Sequence, residues 1–266
     1  MRWTRDTRLA MLVLSWGLME SVKRKRAGLP RLTKREGYTI HPFDEENGVK
    51  TSGIIPGRFL KTGHRNDRHS TAYFGVAPSV FRALLRRWQR SRPCAPVEEF
   101  VFVDAGAGMG RAMLLASELP FRKVEGIELN PVLARVARRN AAKWRAAGRG
   151  GARVRVTCGD ALEFGFPNGP CLVFLFNPFG ASVMRRLLVR LADSFRDRPG
   201  ELDLLYVNHE QEHVFEGQRG FVRLFRGQVK RSRADAIADH RIMANQPDGE
   251  YAASNSEECS IWRWEG

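Results

Sequence analysis

From Phe100 onward, short apolar runs alternate with amphipathic stretches, whereas the residues before it follow a different pattern. The runs Phe100 to Ala105, Lys123 to Glu128, Arg153 to Cys158, Leu172 to Phe176 and Leu202 to Val207 have the length and the branched and aromatic content of strands. Between them, apolar positions recur at helical spacing over Gly110 to Leu119, Pro131 to Ala147 and Ala181 to Arg196, which predicts helices. Such alternation implies an α/β, Rossmann-like, doubly wound and mainly parallel sheet with helices on both faces and ligands at the carboxyl ends of its strands. Two later strand-like runs, Gly220 to Lys230 and Cys259 to Gly266, are separated by a polar stretch and are expected to pair as a closing antiparallel edge.

Upstream, a helix starts at Pro78, a residue suited to the first helical position, and places Val80, Phe81, Leu84, Leu85 and Trp88 on one face before "SRPCAP" ends it. The segment Gly37 to Asn66 is rich in Gly and polar residues without a period, which reads as a connection or as a cap over a site. Residues 1–36 hold ten Lys or Arg around one apolar run, Leu9 to Met19. That run is shorter than the roughly 20 residues needed to span a bilayer, and no small-residue cleavage site follows it. Two readings remain: a helix packed on the main domain with a solvated basic tail, and an interfacial helix held on anionic lipid through Lys23 to Arg26. The expected organisation is a basic extension over 1–36, a connecting or cap segment with the leading helix over 37–96, and the main domain over 97–266.

The formal charge of +15 over 266 residues favours anionic partners, although an Arg-rich composition also follows from codon usage. Cys94, Cys158, Cys171 and Cys259 form no CxxC pair and read as reduced core thiols of a cytoplasmic protein, with peripheral membrane contact as the alternative. His41, His64 and His69 lack ligand-like spacing, so no metal is assigned.

The candidate chemistry lies at the strand ends. Asp104, Gly106, Gly108 and Gly110 form D-x-G-x-G-x-G between a strand and a helix, where glycine permits positive φ and close approach to an anionic ligand. A dinucleotide fingerprint fails, because Arg111 or Met113 stands where its third Gly belongs, and no Walker Gly-Lys-Ser/Thr follows. Glu128 ends the second strand, where a carboxylate can accept from ribose hydroxyls. Asp160 follows the third strand, and Asn177, Pro178 and Phe179 end the fourth, which its composition marks as buried on both faces. Taken singly, each also fits an ordinary turn or strand end.

In this order the marks resemble the class I S-adenosylmethionine-dependent methyltransferases, over roughly Tyr73 to Val207. The resemblance implies a seven-stranded sheet with one antiparallel strand, and S-adenosylmethionine as cofactor. Gly106, Gly108 and Gly110 with Asp104 would cradle its methionine end, Glu128 its ribose, Asp160 with Ala161 its adenine, and Tyr73 would serve as a lid. "FVDAGAGMGR", "VEGIELNP", "NPFG" and "YFGVAPSVFRALL" resemble small lysine methyltransferases of the Dot1-like type. "NPF" is similar to the D/N-P-P-Y/F signature of enzymes that methylate planar amines, in which the Asn accepts from the amine, the Pro aims its carbonyl and the aromatic ring stacks; here a single Pro precedes the Phe. Asn177, Pro178 and Phe179 would then face the acceptor, an amine nitrogen, with a protein lysine leading. A nucleic-acid or small-molecule acceptor and a non-catalytic cofactor-binding module are the alternatives. A lysine must shed its proton, and an apolar wall of Tyr73, Phe74 and Phe179 would lower its pKa.

Overall fold

The computed structural model describes residues 39–245 and 251–266. The apolar run Leu9 to Met19 and its basic flanks lie outside the described residues.

One seven-stranded sheet organises the chain in the order β5, β4, β3, β6, β7, β9, β8. Its strands are β3 (Val101–Ala105), β4 (Lys123–Glu128), β5 (Val154–Cys158), β6 (Cys171–Phe176), β7 (Leu202–Val207), β8 (Phe221–Lys230) and β9 (Ser256–Trp264). The pairs from β5 across to β7 are parallel, while β9 runs antiparallel to both β7 and β8. The late runs therefore pair as expected, with β9 inserted between β7 and β8 so that β8 forms the edge.

Period-two alternation sorts the strand residues onto two faces. Phe100, Phe102, Leu172 and Phe174 join one apolar cluster, whose other wall is α2 (Pro78–Arg90), α3 (Arg111–Ala116) and α4 (Pro131–Ala146). Val101, Val103, Val173 and Leu175 join the opposite cluster with α5 (Ala181–Ser194). Helix α2 buries Val80, Phe81, Leu84, Leu85 and Trp88, the face read from the sequence. The Trp88 indole donates to Asp203 at 2.7 Å, and Arg263 holds the same fully buried carboxylate through two bonds of 2.8 and 3.0 Å, so α2, β7 and β9 share one charge.

The segment before α2 is a cap with little apolar content. It holds α1 (Pro42–Asn47), a ribbon of β1 (Ile54–Ile55) with β2 (Tyr73–Phe74), and two 3-10 turns. Ile55, Leu60 and Tyr73 pack with Met109, Val132, Leu133 and Val136 in a cluster distinct from those of the sheet. Buried carboxylates supply the rest. Asp44 accepts from the backbone N–H and hydroxyl groups of Thr51 and Ser52, and Asp67 accepts from Thr62 and from Gly63 N–H. Burial, aided by Arg111, holds His41 down at about 4, so the ring is neutral and its Nδ1 accepts from Phe43 N–H.

Three expectations are corrected. The polar stretch after β8 contains a helix, α7 (Arg233–Ala244), preceded by the short α6 (His213–Glu216) after β7. Of the stretch read as a connection or a cap, residues 39–66 form the cap and contain α1, β1 and a 3-10 turn rather than irregular chain throughout. Cys94 and Cys158 are exposed, because they lie in the loop after α2 and at the end of edge strand β5; only Cys171 and Cys259 are core thiols. Among the described residues no helix is long and apolar enough to cross a membrane.

Candidate active site

The carboxyl ends of β3, β4, β5 and β6 open into one cleft roofed by the cap. Its floor is the glycine turn. Gly106 and Gly108 have φ of 88° and 54°, in the left-handed region, and neither could carry a side chain. A Cβ on Gly106 would lie 2.6 Å from Pro178 Cβ, and one on Gly108 would lie 2.3 Å from the Tyr73 ring. The turn therefore needs glycine both for its backbone and for the neighbours pressed against it.

Glu128 fastens this turn. One carboxylate oxygen accepts from Gly108 N–H at 2.7 Å and the other from Asn130 N–H at 2.8 Å, while each oxygen keeps a further lone pair. Asn130 also caps α4, accepting from Val132 and Leu133 N–H groups ahead of Pro131 at the first helical position. Asp104 lies one strand away, 4% exposed, and burial together with the Glu128 charge pushes its carboxyl up to about 8. Burial also raises Glu128, against the two backbone bonds that favour its charged form. Two buried strand-end acids thus face one cleft.

On the β5 side, Gly159, Asp160 and Ala161 line the cleft. Asp160 accepts from Asn66 Nδ2 at 2.7 Å and from Leu162 N–H at 2.9 Å, which joins the cap to the strand end. His64 and Glu163 bring ligand-type atoms near Asp160, each of whose oxygens already accepts one hydrogen bond.

On the β6 side, Asn177 takes a positive φ of 40° and is 8% exposed, and its Oδ1 is buried with no hydrogen-bond partner. Its backbone is held from both sides. Asn177 N–H donates to Val207 C=O at 3.1 Å, and its own C=O accepts from the Thr71 hydroxyl. Ser70 bridges Phe179, and Gly180 N–H donates to His69 C=O at 2.9 Å. Side chains buried by the cap make up the remaining wall. The Tyr73 hydroxyl donates to Thr51 C=O at 2.7 Å, and buried Arg111 reaches Thr51 Oγ1 and the Gly75 carbonyl at 2.6 and 3.1 Å.

The structure brings Tyr73, Asp104, Gly106, Gly108, Glu128, Asp160, Ala161, Pro178 and Phe179 to the wall of this one cleft, with Asn177 between Phe176 and Pro178 of that wall and Gly110 starting α3 behind it. Phe74 lines it as well. The positioning residues Asn66, Thr71, Thr51 and Arg111 were not read from the sequence, since their partners lie 94, 106 and 60 positions away for the first, second and last contacts described.

No protein-family model matches the chain, and no curated protein matches it in sequence. Similar folds occur among solved structures. Magnesium protoporphyrin IX methyltransferase from Synechocystis PCC 6803, with S-adenosylmethionine bound, aligns at 11% identity and a TM-score of 0.47 over 99% of each chain. An RNA methyltransferase from Salinibacter ruber, in complex with S-adenosyl-L-homocysteine, aligns at 16% and 0.43 over 70% of this chain and 90% of its own. A ribosomal protein L11 methylase from Lactobacillus delbrueckii subsp. bulgaricus aligns at 13% and 0.41 over 70% and 78%. With TM-scores below 0.5, these alignments describe a general resemblance in strand arrangement. These three proteins are named for a porphyrin, an RNA and a ribosomal protein.

Proposed function

We propose that the chain is an S-adenosylmethionine-dependent methyltransferase acting on an amine nitrogen. The observation that carries this reading is Asn177 Oδ1, a buried acceptor without a partner, on the residue between Phe176 and Pro178, which line the cleft together with the glycine turn, Asp104 and Glu128. A buried acceptor left unpaired costs about 1 to 3 kcal/mol, which a donor N–H in the cleft would recover. The residues fit the cofactor. Glu128 has lone pairs left for ribose hydroxyls, Asp160 and Ala161 flank room for a base, and Asp104 offers a carboxylate to a cationic group.

When bound, S-adenosylmethionine supplies an activated methyl group and a neutral leaving sulfide. The protein's own tasks are then orientation and water exclusion. Asn177 Oδ1 accepts an acceptor N–H and turns the nitrogen lone pair away from itself. Pro178, pressed on Gly106, fixes the height of that amide over the glycine turn. Tyr73, Phe74 and Phe179 form a wall that favours a neutral amine over a charged one.

The amine nitrogen is common to a lysine side chain, which the subgroup resemblance favours, and to a nucleobase. The test is transfer of radiolabelled methyl from S-adenosylmethionine into host extract separated into protein, nucleic-acid and small-molecule fractions, with Glu128→Ala alongside. Label in one fraction, lost in the variant, is the expected result. No label anywhere from a protein that binds the cofactor in calorimetry overturns catalysis.

A further inference from the structure

Strand β8 forms the edge of the sheet and, among the described residues, pairs with β9 alone, so its outer side carries unpaired backbone N–H and C=O groups along a strand of 10 residues. An exposed edge of that length is a template for another strand, and proteins usually keep such edges short or covered. Val222 and Leu224 on it are 46% and 36% exposed. Leu224 and Phe225 form the apolar floor of a groove between β8 and α2, whose other wall holds Arg86, Arg87 and Arg90, all exposed. Arg87 lies over the Phe225 ring, 4.1 Å from its centre. Arg86 and Arg90 have no ion-pair or hydrogen-bond partner among the described residues, and no acidic residue lines the groove.

We infer that the outer edge of β8 and this groove dock an acidic, extended polypeptide segment of a partner protein, which joins the sheet as an eighth strand. Backbone pairing gives such a strand its affinity and the flanking side chains its selectivity. Charge sets the selectivity here. Along β8 the charged residues are Arg223, Arg226 and Lys230, with no acid. A register shift between Arg223 and Phe225 lets Arg223 and Arg226, three positions apart, reach the same Glu212, at 3.8 and 2.8 Å. The α2 side is left to Arg86, Arg87 and Arg90, which would meet the partner's carboxylates. A second copy of the chain would set one basic strand against another, and like charges across a strand pair oppose that. A nucleic acid would leave the backbone groups of the edge unpaired, and Arg87 already occupies the Phe225 ring on which a base would stack.

The test is fluorescence anisotropy on the full chain with a labelled decapeptide of alternating Glu and Val, its Lys and Val counterpart, and a single-stranded DNA oligonucleotide, at about 50 mM salt so that screening is modest. The Glu peptide should bind and the Lys peptide should not. R86E/R90E places two like charges on the groove wall and should weaken the Glu peptide about tenfold or more, while its melting point and its affinity for S-adenosyl-L-homocysteine stay at wild-type values. In the wild-type complex, amide exchange should slow at alternate residues of β8, those whose N–H groups face outward, and stay unchanged in β3 to β6. Absence of Glu-peptide binding, equal binding of the two peptides, or wild-type affinity in R86E/R90E overturns the inference. Peptide binding with no slowing along β8 overturns the added strand, and DNA binding lost in R86E/R90E without peptide binding would assign the surface to nucleic acid instead.

Discussion

Replacing Asn177 with glycine isolates its side chain. The backbone there has φ of 40°, which glycine adopts freely, and the bonds from Asn177 N–H to Val207 and from Thr71 to the Asn177 carbonyl survive the change. Only the amide is removed. As an amine attacks a methyl group its nitrogen gains positive charge, so the bond to Oδ1 becomes charge-assisted in the transition state, worth about 1.5 to 3 kcal/mol. At about 1.4 kcal/mol per tenfold, turnover should fall roughly tenfold to 150-fold. Affinity for S-adenosyl-L-homocysteine should stay within about threefold, because the bond is made to the acceptor. Asn177→Ala removes the same amide but forces a Cβ into the left-handed region at a cost of about 1 kcal/mol or more, so its melting point should lie roughly 2 to 4 °C below that of the glycine variant. Initial rates of label transfer, calorimetry and thermal melts on the three proteins give all of these quantities. Unchanged turnover in Asn177→Gly, or a fall in cofactor affinity that accounts for the whole loss, would refute the assignment.

Further outcomes follow from other residues. Asp104, pushed up to about 8, is largely protonated at neutral pH, and a cationic cofactor favours its charged form; affinity for S-adenosylmethionine should therefore rise between about pH 6.5 and 8.5 with proton release, and a flat calorimetric profile would contradict this. The raised pKa also makes apo stability fall as pH climbs from the ordinary Asp range of about 4 through 8, a dependence that Asp104→Asn should remove from thermal melts. Arg111→Met breaks the bonds to Thr51 and to the Gly75 carbonyl, so amide exchange over the cap should quicken markedly while exchange in β6 and β7 changes little. Asp203→Ala leaves Arg263 and the Trp88 indole without their buried partner and should lower stability by about 3 to 5 kcal/mol in denaturant unfolding.

The sheet was legible because its stability is apolar and periodic: Phe102 and Val103, or Val173 and Phe174, announce two buried faces by composition alone. Helix α7 was not, since its buried face consists of Asp235, Ala238, Asp239 and Ile242, half of it acidic, with Asp239 paired to Arg231 just ahead of the helix and Asp235 beside the neutral His41 ring. The cap could be read as a cover over a site, but its elements could not, for the same reason. Asp44 and Asp67 organise it through hydrogen bonds, and polar side chains carry no hydrophobic period. The site divides along the same line. Residues that sit where a strand becomes a turn, such as Gly106, Glu128 and Asn177, could be located by position. Those that hold them in place, Asn66 on Asp160 and Thr71 on the Asn177 carbonyl, act across the fold and leave no local trace.

The insertion of β9 between β7 and β8 sets an order of assembly. The strands that line the cleft, β3 to β6, are contiguous in the sheet with one another and with β7, and all precede residue 208. A nascent chain can therefore build the ligand-bearing half of the sheet first. Strand β8 then emerges with no neighbour to join, and must wait until Ser256–Trp264 has been made, a gap of one to several seconds at ordinary elongation rates. During that interval β7 presents an unpaired, fully buried-type edge, and α7 is the segment synthesised meanwhile. Its buried face holds Asp235 and Asp239, so the stretch made in that interval adds little apolar surface beside the open edge, and the feature that obscures the helix in the sequence also suits the chain's order of synthesis.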